Sequence, residues 1–371
     1  MKTITNIIPN EKTAYFHTLF PNPSQVLLFD IETTGLSPKT ASLYLIGCAC
    51  FKDGTWYCRQ FFASTPSSEK EILSEFCSFA RNFSCLVTFN GTTFDIPFIQ
   101  AKCKKYGLPD FSFQDYHDMY RMIRPYKNLL HLPGCRQKQL EEYIGLYRED
   151  PFTGQELISL YEQYGQKPEE DLLKTLLLHN FEDIQGMLEL SCITAIPRLF
   201  TDHAFIVENG SLQTVSDAFG QTKTELTISI QLQFPLPAPL SCRTADTGYG
   251  FSFFSAHKHQ ALLKIPVFNG ELKFFFKDYK NYSYLPLEDQ AVHKSVAVFV
   301  DKTRRMPATA ANCYIRKTGM FVPAHKELPD SINRFYPEYK SKLVYLEVNE
   351  EFLSDSELLK CYVSSLLKQM N

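Results

Sequence analysis

The chain has 371 residues, 44% of them hydrophobic, enough for one large domain or two ordinary ones with their own cores. Its 38 basic and 41 acidic residues leave a formal net charge of −3, which excludes a partner held by global positive charge; affinity for nucleic acid has to come from local patches or bound metal. The eleven cysteines are an odd number scattered singly, Cys48 and Cys50 being the one close pair, which argues against a disulfide framework or a structural zinc site. Residues 1–10 lack the apolar core of a signal peptide, and no apolar run reaches the length of a membrane span. A reduced, cytoplasmic location without membrane contact is therefore expected.

Residues 1–23 read as a polar lead-in ending at Pro21-Asn22-Pro23. Strand-like runs follow over 26–31, 43–51 and 56–62, with connections short enough for an antiparallel meander. The spacing of Ile72, Leu73, Phe76, Phe79 and Ala80 predicts a helix, and 85–89 a fourth strand that, arriving after a helix, runs parallel to a neighbour. A helix over 96–106, a fifth strand over 113–118, short helices over 138–144 and 155–164, and a long helix from Pro168 to about Leu199 complete a domain over 24–203. From about residue 205 the pattern turns to strands. Leu226, Ile228, Ile230, Leu232 and Phe234 alternate with polar residues, and further runs stand at 250–254, 262–268, 272–276, 296–300 and 343–348. Asn269-Gly270 between two of them predicts a hairpin. With a helix over 354–370, residues 205–371 read as a second, mostly antiparallel β domain of unassigned role.

The chemistry concentrates where Asp30-Ile31-Glu32-Thr33-Thr34-Gly35 leaves the first of the 26–62 strands. Residues two apart in a strand point to one side, so Asp30 and Glu32 face the same place, where a divalent cation would relieve their repulsion. Asp95 opens the helix after the fourth strand, and Asp183 sits in the long helix with His179 one turn earlier on the same face. Four such carboxylates supply the hard oxygen ligands that two Mg²⁺ or Mn²⁺ ions need beside water and substrate phosphate.

Asp30-x-Glu32-Thr33-x-Gly35, Asn90-Gly91-x-x-Phe94-Asp95 and His179-Asn180-x-x-Asp183 together resemble the three exonuclease motifs of the DEDD superfamily on the ribonuclease-H-like fold, and more narrowly its YprB-type branch. Leu140-Glu141, Leu146-Tyr147-Arg148-Glu149-Asp150, Gly154 and Tyr161-x-x-Tyr164 extend the similarity, which covers about residues 24–203. The resemblance implies an α/β fold, a ribonuclease-H-like mixed sheet flanked by helices. It also implies metal-dependent 3′-to-5′ hydrolysis of phosphodiester bonds in DNA or RNA by a two-metal mechanism. Carried over by position, Asp30, Glu32, Asp95 and Asp183 would hold two Mg²⁺ or Mn²⁺ ions and His179 would be the general base. Thr33, Thr34, Gly35 and Leu36 would pack on the terminal nucleotide, with Asn90 and Phe94 on the strand. The implied partner is a single-stranded 3′ end, and a helicase working beside the nuclease in repair or processing follows by analogy alone. Histidine-type members place their histidine five positions before the last aspartate; here it stands at four, the spacing of the tyrosine-type members.

Asp118, with Asp115, His117 and His131, forms a rival set, read as structural because the three motifs are complete without it. Lys102, Lys104, Lys105, Arg121, Arg124, Lys127, Arg136 and Lys138 are interleaved with Tyr106, Tyr116, Tyr120 and Tyr126. That mixture suits phosphates and stacked bases, and equally a solvated face anchored by tyrosines. Lys302, Arg304, Arg305, Arg316 and Lys317 around Tyr314 either extend a nucleic-acid path or are ordinary surface. The competing functions are a ribonuclease-H-type endonuclease and a catalytically silent nucleic-acid-binding module or scaffold. The third motif on one helix, and the presence of all four carboxylates, favour the exonuclease.

Overall fold

The computed structural model of the chain describes residues 1–9, 14–148, 151–216, 220, 222–246, 250–324, 328–329 and 331–370; Glu149 and Asp150, part of the resemblance above, lie outside them. The chain divides into two compact units, Met1–Arg198 with Leu236–Ala238, and Leu199–Pro235 with Pro239–Asn371. Among the described residues no helix is long and apolar enough to cross a membrane.

The first unit contains β1 (Lys2–Ile8), α1 (Ala14–Leu19), β2 (Val26–Thr33), β3 (Leu43–Lys52), β4 (Thr55–Phe62), α2 (Glu69–Ala80), β5 (Cys85–Thr88), α3 (Asp95–Tyr106), β6 (Asp115–Asp118), α4 (Met119–Ile123), α5 (Gln137–Tyr143), α6 (Gly154–Gln166), α7 (Glu170–Leu190) and α8 (Ala195–Phe200). Its sheet has the order β1-β4-β3-β2-β5-β6. β2, β3, β4 and β1 pair antiparallel, whereas β5 and β6 add on parallel to β2. This is an α/β, ribonuclease-H-like mixed sheet flanked by helices. Residues 1–23, expected as a lead-in, hold the edge strand β1, whose Lys2-to-Ile8 run pairs with Phe62 to Trp56. Only Ile8 of β1 is buried, so the strand left no alternating signal and rests on backbone pairing and its Thr and Ile content.

Central strands buried on both faces read as unbroken apolar runs, and β2 and β3 are of that kind. One face, with Leu27, Phe29 and Ile31, packs on Ile72, Leu73 and Phe76 of α2 and on Phe98 and Ile99 of α3. The opposite face, with Tyr44, Leu45 and Phe62, packs on Tyr161 and Tyr164 of α6 and Leu173 and Leu176 of α7; the Tyr44 and Tyr161 rings stack at 4.2 Å. The long helix expected to about Leu199 stops at Leu190. Pro197 has no N–H for the Ile193 carbonyl and its ring crowds that group, so the chain restarts as α8 with Pro197 in the first turn.

The second unit contains β7 (Phe205–Ser216), β8 (Thr222–Leu232), β9 (Leu240–Arg243), β10 (Phe253–His257), β11 (Gln260–Pro266), β12 (Phe268–Phe275), β13 (Tyr282–Leu285), β14 (Gln290–His293), α9 (Lys294–Ala297), β15 (Met306–Pro307), β16 (Tyr314–Ala324), β17 (Val344–Glu347), α10 (Glu350–Ser354) and α11 (Ser356–Met370). The strands form three antiparallel sheets, β7-β8-β11-β10-β9, β12-β16-β17 and β14-β13-β15. The alternation in β8 is real: Leu226, Ile228, Ile230 and Leu232 are all buried. Two expectations fail. Asn269-Gly270 is no hairpin turn but lies within β12, opposite Met320 and Gly319 of β16. Residues 296–300, expected as a strand, run through α9 and the turn after it; Val296, Val298 and Phe299 are exposed, and no sheet edge receives them.

Both basic clusters are thinned by internal pairing. In the second unit Arg316 lies 3.5 Å from Glu271, Lys317 lies 2.7 Å from Glu347, and Arg305 donates to the Ala297 carbonyl, leaving Lys302 and Arg304 exposed. In the first unit Lys102 is only 1% exposed and its Nζ reaches Glu69 at 2.6 Å and the Ala41 carbonyl at 2.6 Å. Lys105 also approaches Glu69, at 3.6 Å, and Tyr106 donates to it. Lys102 is therefore a core ion pair and not a phosphate contact. Lys102→Ala leaves Glu69 buried beside one distant, exposed cation and should destabilise the fold by about 3–5 kcal/mol, read from the urea midpoint. A loss within experimental error would return Lys102 to the surface set.

Candidate active site

β2 delivers Asp30 and Glu32 to the side of the sheet that α7 covers, because Phe29 and Ile31, alternating with them, are taken by the opposite core. The ladder slips between Glu32 and Thr33, where β2 bulges and turns away from β3. The following loop is stapled: Thr33 Oγ1 donates to the Gly35 carbonyl at 2.9 Å, and Ser42 N donates to Thr34 Oγ1 at 2.8 Å. At its tip Leu36 is 86% exposed, a large apolar side chain held out by an ordered loop.

Asp95 arrives from the other side of β2. The turn before it places Asn90 at φ +61° and is fastened by Asp118, which accepts from Asn90 N at 2.8 Å and Thr92 N at 3.2 Å, and also caps α4 through Arg121 N. The rival carboxylate is thus a structural brace. Its companions do not join it: Asp115 and His131 are exposed, and half-buried His117 packs edge-to-face on Phe20. Asp95, the first residue of α3, accepts from Ile31 N at 3.3 Å. Phe94 is half-buried with its ring 5.6 Å from Phe98, so much of its surface is committed to the core.

α7 contributes three side chains. Nε2 of His179 lies 3.1 Å from Oδ2 of Asp183 and 3.7 Å from Oε1 of Glu32. One ligand atom from each of Glu32, His179 and Asp183 lies within 4.8 Å of the others; among the described residues no other group of three His, Cys, Asp or Glu does so. Between the histidine and the aspartate, Asn180 donates to Oδ2 of Asp30 at 3.3 Å and accepts from Gln60 of β4 at 3.0 Å. Space for Asn180 exists because the residue opposite Asp30 on β3 is Gly47; a Cβ there would sit 2.0 Å from the amide oxygen.

The other side of Asp183 is occupied by Arg148, whose guanidinium bridges Oδ1 of Asp183 and the carboxylate of Glu141, at 2.6 Å for Nη2 to Oε1. Gln137 donates to both Oε1 of Glu141 and the backbone carbonyl of Asp183. Glu141 is buried against Gly186, where a Cβ would lie 2.1 Å from its oxygen. Motif reading did not assign roles to Gly47, Gln60, Asn180, Glu141 or Arg148. The available signals were a glycine opposite Asp30 and polar residues inside otherwise apolar stretches.

The electrostatics follow from this crowding. Burial, then the neighbouring Asp95, Asp183 and Glu32, push the Asp30 carboxyl well up, against a smaller pull from His179. Burial raises Asp95 to about 7, opposed by its backbone hydrogen bonds and helped by Asp118 and Asp183. Burial also pushes Asp183 up, but hydrogen bonds from His179 and Arg148 outweigh it, and this carboxyl is lowered. The donor set fits hard divalent cations: Asp30, Glu32, Asp95 and Asp183 crowd a half-buried place, and two of them keep their charge only at a cost that cations would remove. The structure brings all five expected catalytic residues to this place, with Glu32, His179 and Asp183 the tightest group; Asp30 and Asp95 complete it from β2 and α3.

Residues 27–193 match the model of the RNase H superfamily family RNase_H_2. Over 175 residues the sequence is 27% identical to YprB of Bacillus subtilis (strain 168), covering 46% of this chain and 41% of that protein, so the chain spans about two fifths of the relative's length. Among solved structures, the family B DNA polymerase of Pyrobaculum calidifontis is similar with a TM-score of 0.38 and 16% identity, over 46% of this chain and 25% of that one. A zinc-bound complex of E. coli ExoI with single-stranded DNA gives 0.28 and 13%, over 56% and 54%.

The raised carboxyls carry a sign. Protons held by folded Asp30 and Asp95 are released on unfolding, so the stability they contribute is present below about pH 4 and lost as pH rises through the raised carboxyls, for Asp95 through about 7. Asp183 acts oppositely, but its lowered carboxyl affects stability only below the ordinary carboxylate range. Without divalent ions the urea midpoint should fall between pH 5 and pH 8, Mn²⁺ should restore it at pH 8 far more than at pH 5, and Asp30→Asn should flatten the fall. An equal Mn²⁺ effect at both pH values would contradict the crowding of these carboxylates.

Proposed function

From the premise that residues 27–193 belong to the ribonuclease H superfamily, in a domain of the YprB type, we propose that the protein is a metal-dependent nuclease of 3′-to-5′ exonuclease character acting on single-stranded ends of DNA or RNA. The observation that carries this reading is the convergence of Asp30, Glu32, Asp95 and Asp183, with His179, from β2, α3 and α7 into one half-buried cluster.

Asp30, Glu32, Asp95 and Asp183 would hold two Mg²⁺ or Mn²⁺ ions. Bound there, the ions supply Lewis acidity and charge neutralisation at the scissile phosphate. The chain's own residues do the rest. His179, set between Glu32 and Asp183, is the proton acceptor for the attacking water. Its Nε2 now faces Asp183 and Glu32, and it becomes available to water when those carboxylates are engaged elsewhere. The i, i+4 spacing places the ring directly over Asp183, which makes four residues a workable separation for a histidine. Arg148 fixes the Asp183 carboxylate from behind, and Asn180 orients Asp30.

Thr33, Thr34, Gly35 and Leu36 would receive the terminal nucleotide. Leu36 is the group suited to wedge against its base, and Asn90, in its strained left-handed backbone position, contacts the strand. A helicase partner and a role in repair belong to this reading as extensions.

Asp30→Asn and Asp183→Asn should each abolish Mn²⁺-dependent hydrolysis of an end-labelled oligonucleotide while the circular dichroism stays native, and His179→Ala should slow it by about a hundredfold or more. A 5′ label should report a ladder shortening one nucleotide at a time. Internal cuts in a circular single strand would instead favour an endonuclease, and turnover by Asp30→Asn would remove the metal assignment.

A further inference from the structure

A cleft of about 970 Å³ opens beside the carboxylates, with Asp30 and Asp183 among its lining residues; this is the upper end of the volume range of small-ligand pockets, about 300–1,000 Å³. Its other walls come from α4, the segment after it, the start of α5 and the turn after β5, and they carry Arg124, Lys127 and Arg136 together with the rings of Phe89 and Tyr120. The two rings meet at 6.0 Å with an interplanar angle of 64°, and the Arg124 guanidinium lies 5.9 Å from the Tyr120 centroid.

The cationic residues of this region separate cleanly. Lys102 and Lys105 are spent on Glu69, and Arg148 on Glu141 and Asp183. Arg124, Lys127 and Arg136 have no acidic partner among the described residues, although the cleft they line ends at two carboxylates. The tyrosines separate in the same way. Tyr106 donates to Glu69, Tyr116 accepts from Phe113 N at 2.7 Å, and Tyr126 is 4% exposed, whereas half-buried Tyr120 faces the cleft. Three unpaired cations and a pair of edge-to-face rings in one groove match a polyanion that carries flat apolar groups.

We infer that this cleft is the track for a single-stranded polynucleotide: Arg124, Lys127 and Arg136 hold successive phosphates and Tyr120, backed by Phe89, stacks a base upstream of the end lodged at Asp30 and Asp183. The choice of ligand rests on the nuclease reading. The remaining positive charges on the Lys102–Lys138 stretch are framework or solvated surface.

The test uses the full chain in EDTA with a fluorescent oligothymidylate, its affinity followed by anisotropy across a salt series. Each phosphate contact on a single strand contributes about 0.7 to the slope of log affinity against log salt. Arg124→Ala/Lys127→Ala/Arg136→Ala should therefore lower the slope by about 2, whereas Lys104→Ala, on α3, leaves it unchanged. Tyr120→Ala should weaken binding at least about fivefold, the lower bound for one stacked base, and Tyr120→Phe should restore it. Wild-type slope and affinity in the triple variant, no binding by the wild type, or Tyr120→Phe as weak as Tyr120→Ala would each overturn the inference. The nuclease reading fails separately. Metal-dependent cleavage by a triple variant of undiminished affinity removes the track and spares the nuclease, while cleft-dependent binding without cleavage does the reverse.

Discussion

Four carboxylates drawn from three separate parts of the sequence lie within one another's fields, Asp95 buried and Asp30, Glu32 and Asp183 half-buried, and the residues around them answer that repulsion. Burial and like charge raise Asp30 and Asp95, and the contacts of Arg148 and His179 with Asp183 stand against the excess. The surrounding residues make the crowding tolerable. Asn180 and Gln60 give Asp30 a donor through the gap left at Gly47. The Glu141–Arg148–Asp183 chain, seated against Gly186, offsets one charge, and the Ile31 backbone gives Asp95 another donor. A fold that selection shaped for stability alone would not keep such a cluster, since replacing buried charges with apolar groups is commonly neutral or favourable.

The same principle sorts the rest of the charge. A basic residue near the site becomes a ligand-binding group only when the fold has not already paired it, and pairing is decided by three-dimensional neighbours that a linear stretch does not reveal. Lys102 and Arg124 look alike in sequence; one is sealed against Glu69 and the other stands unpaired in the cleft. In the second unit Arg316 and Lys317 are likewise tied to Glu271 and Glu347.

Much of the first unit was legible in the sequence because its strands are buried on both faces and its motifs sit at strand ends and on one helix face, where periodicity and short-range spacing determine position. Spacing put Asp30 and Glu32 on one side of a strand and His179 and Asp183 on one face of a helix, and the resemblance joined Asp95 to them; the structure brings the five side chains together. What escaped were features held by long-range pairing. β1 has one buried residue and is defined by its partner strand; Arg148 and Asn180 act on Asp183 and Asp30, 35 and 150 residues away, and Glu141 acts through Arg148. In the second unit Asn269-Gly270 carries strong turn chemistry, yet the pairing of β12 with β16 overrides it, and the valines of 296–300 have β propensity without a sheet to join.

Whether this cluster holds divalent cations is read most directly from Mn²⁺ binding to the full chain at neutral pH, followed by electron paramagnetic resonance of the free ion. The account predicts two saturable sites per chain, lost together in Asp30→Asn. Binding no greater in the wild type than in that variant would contradict it.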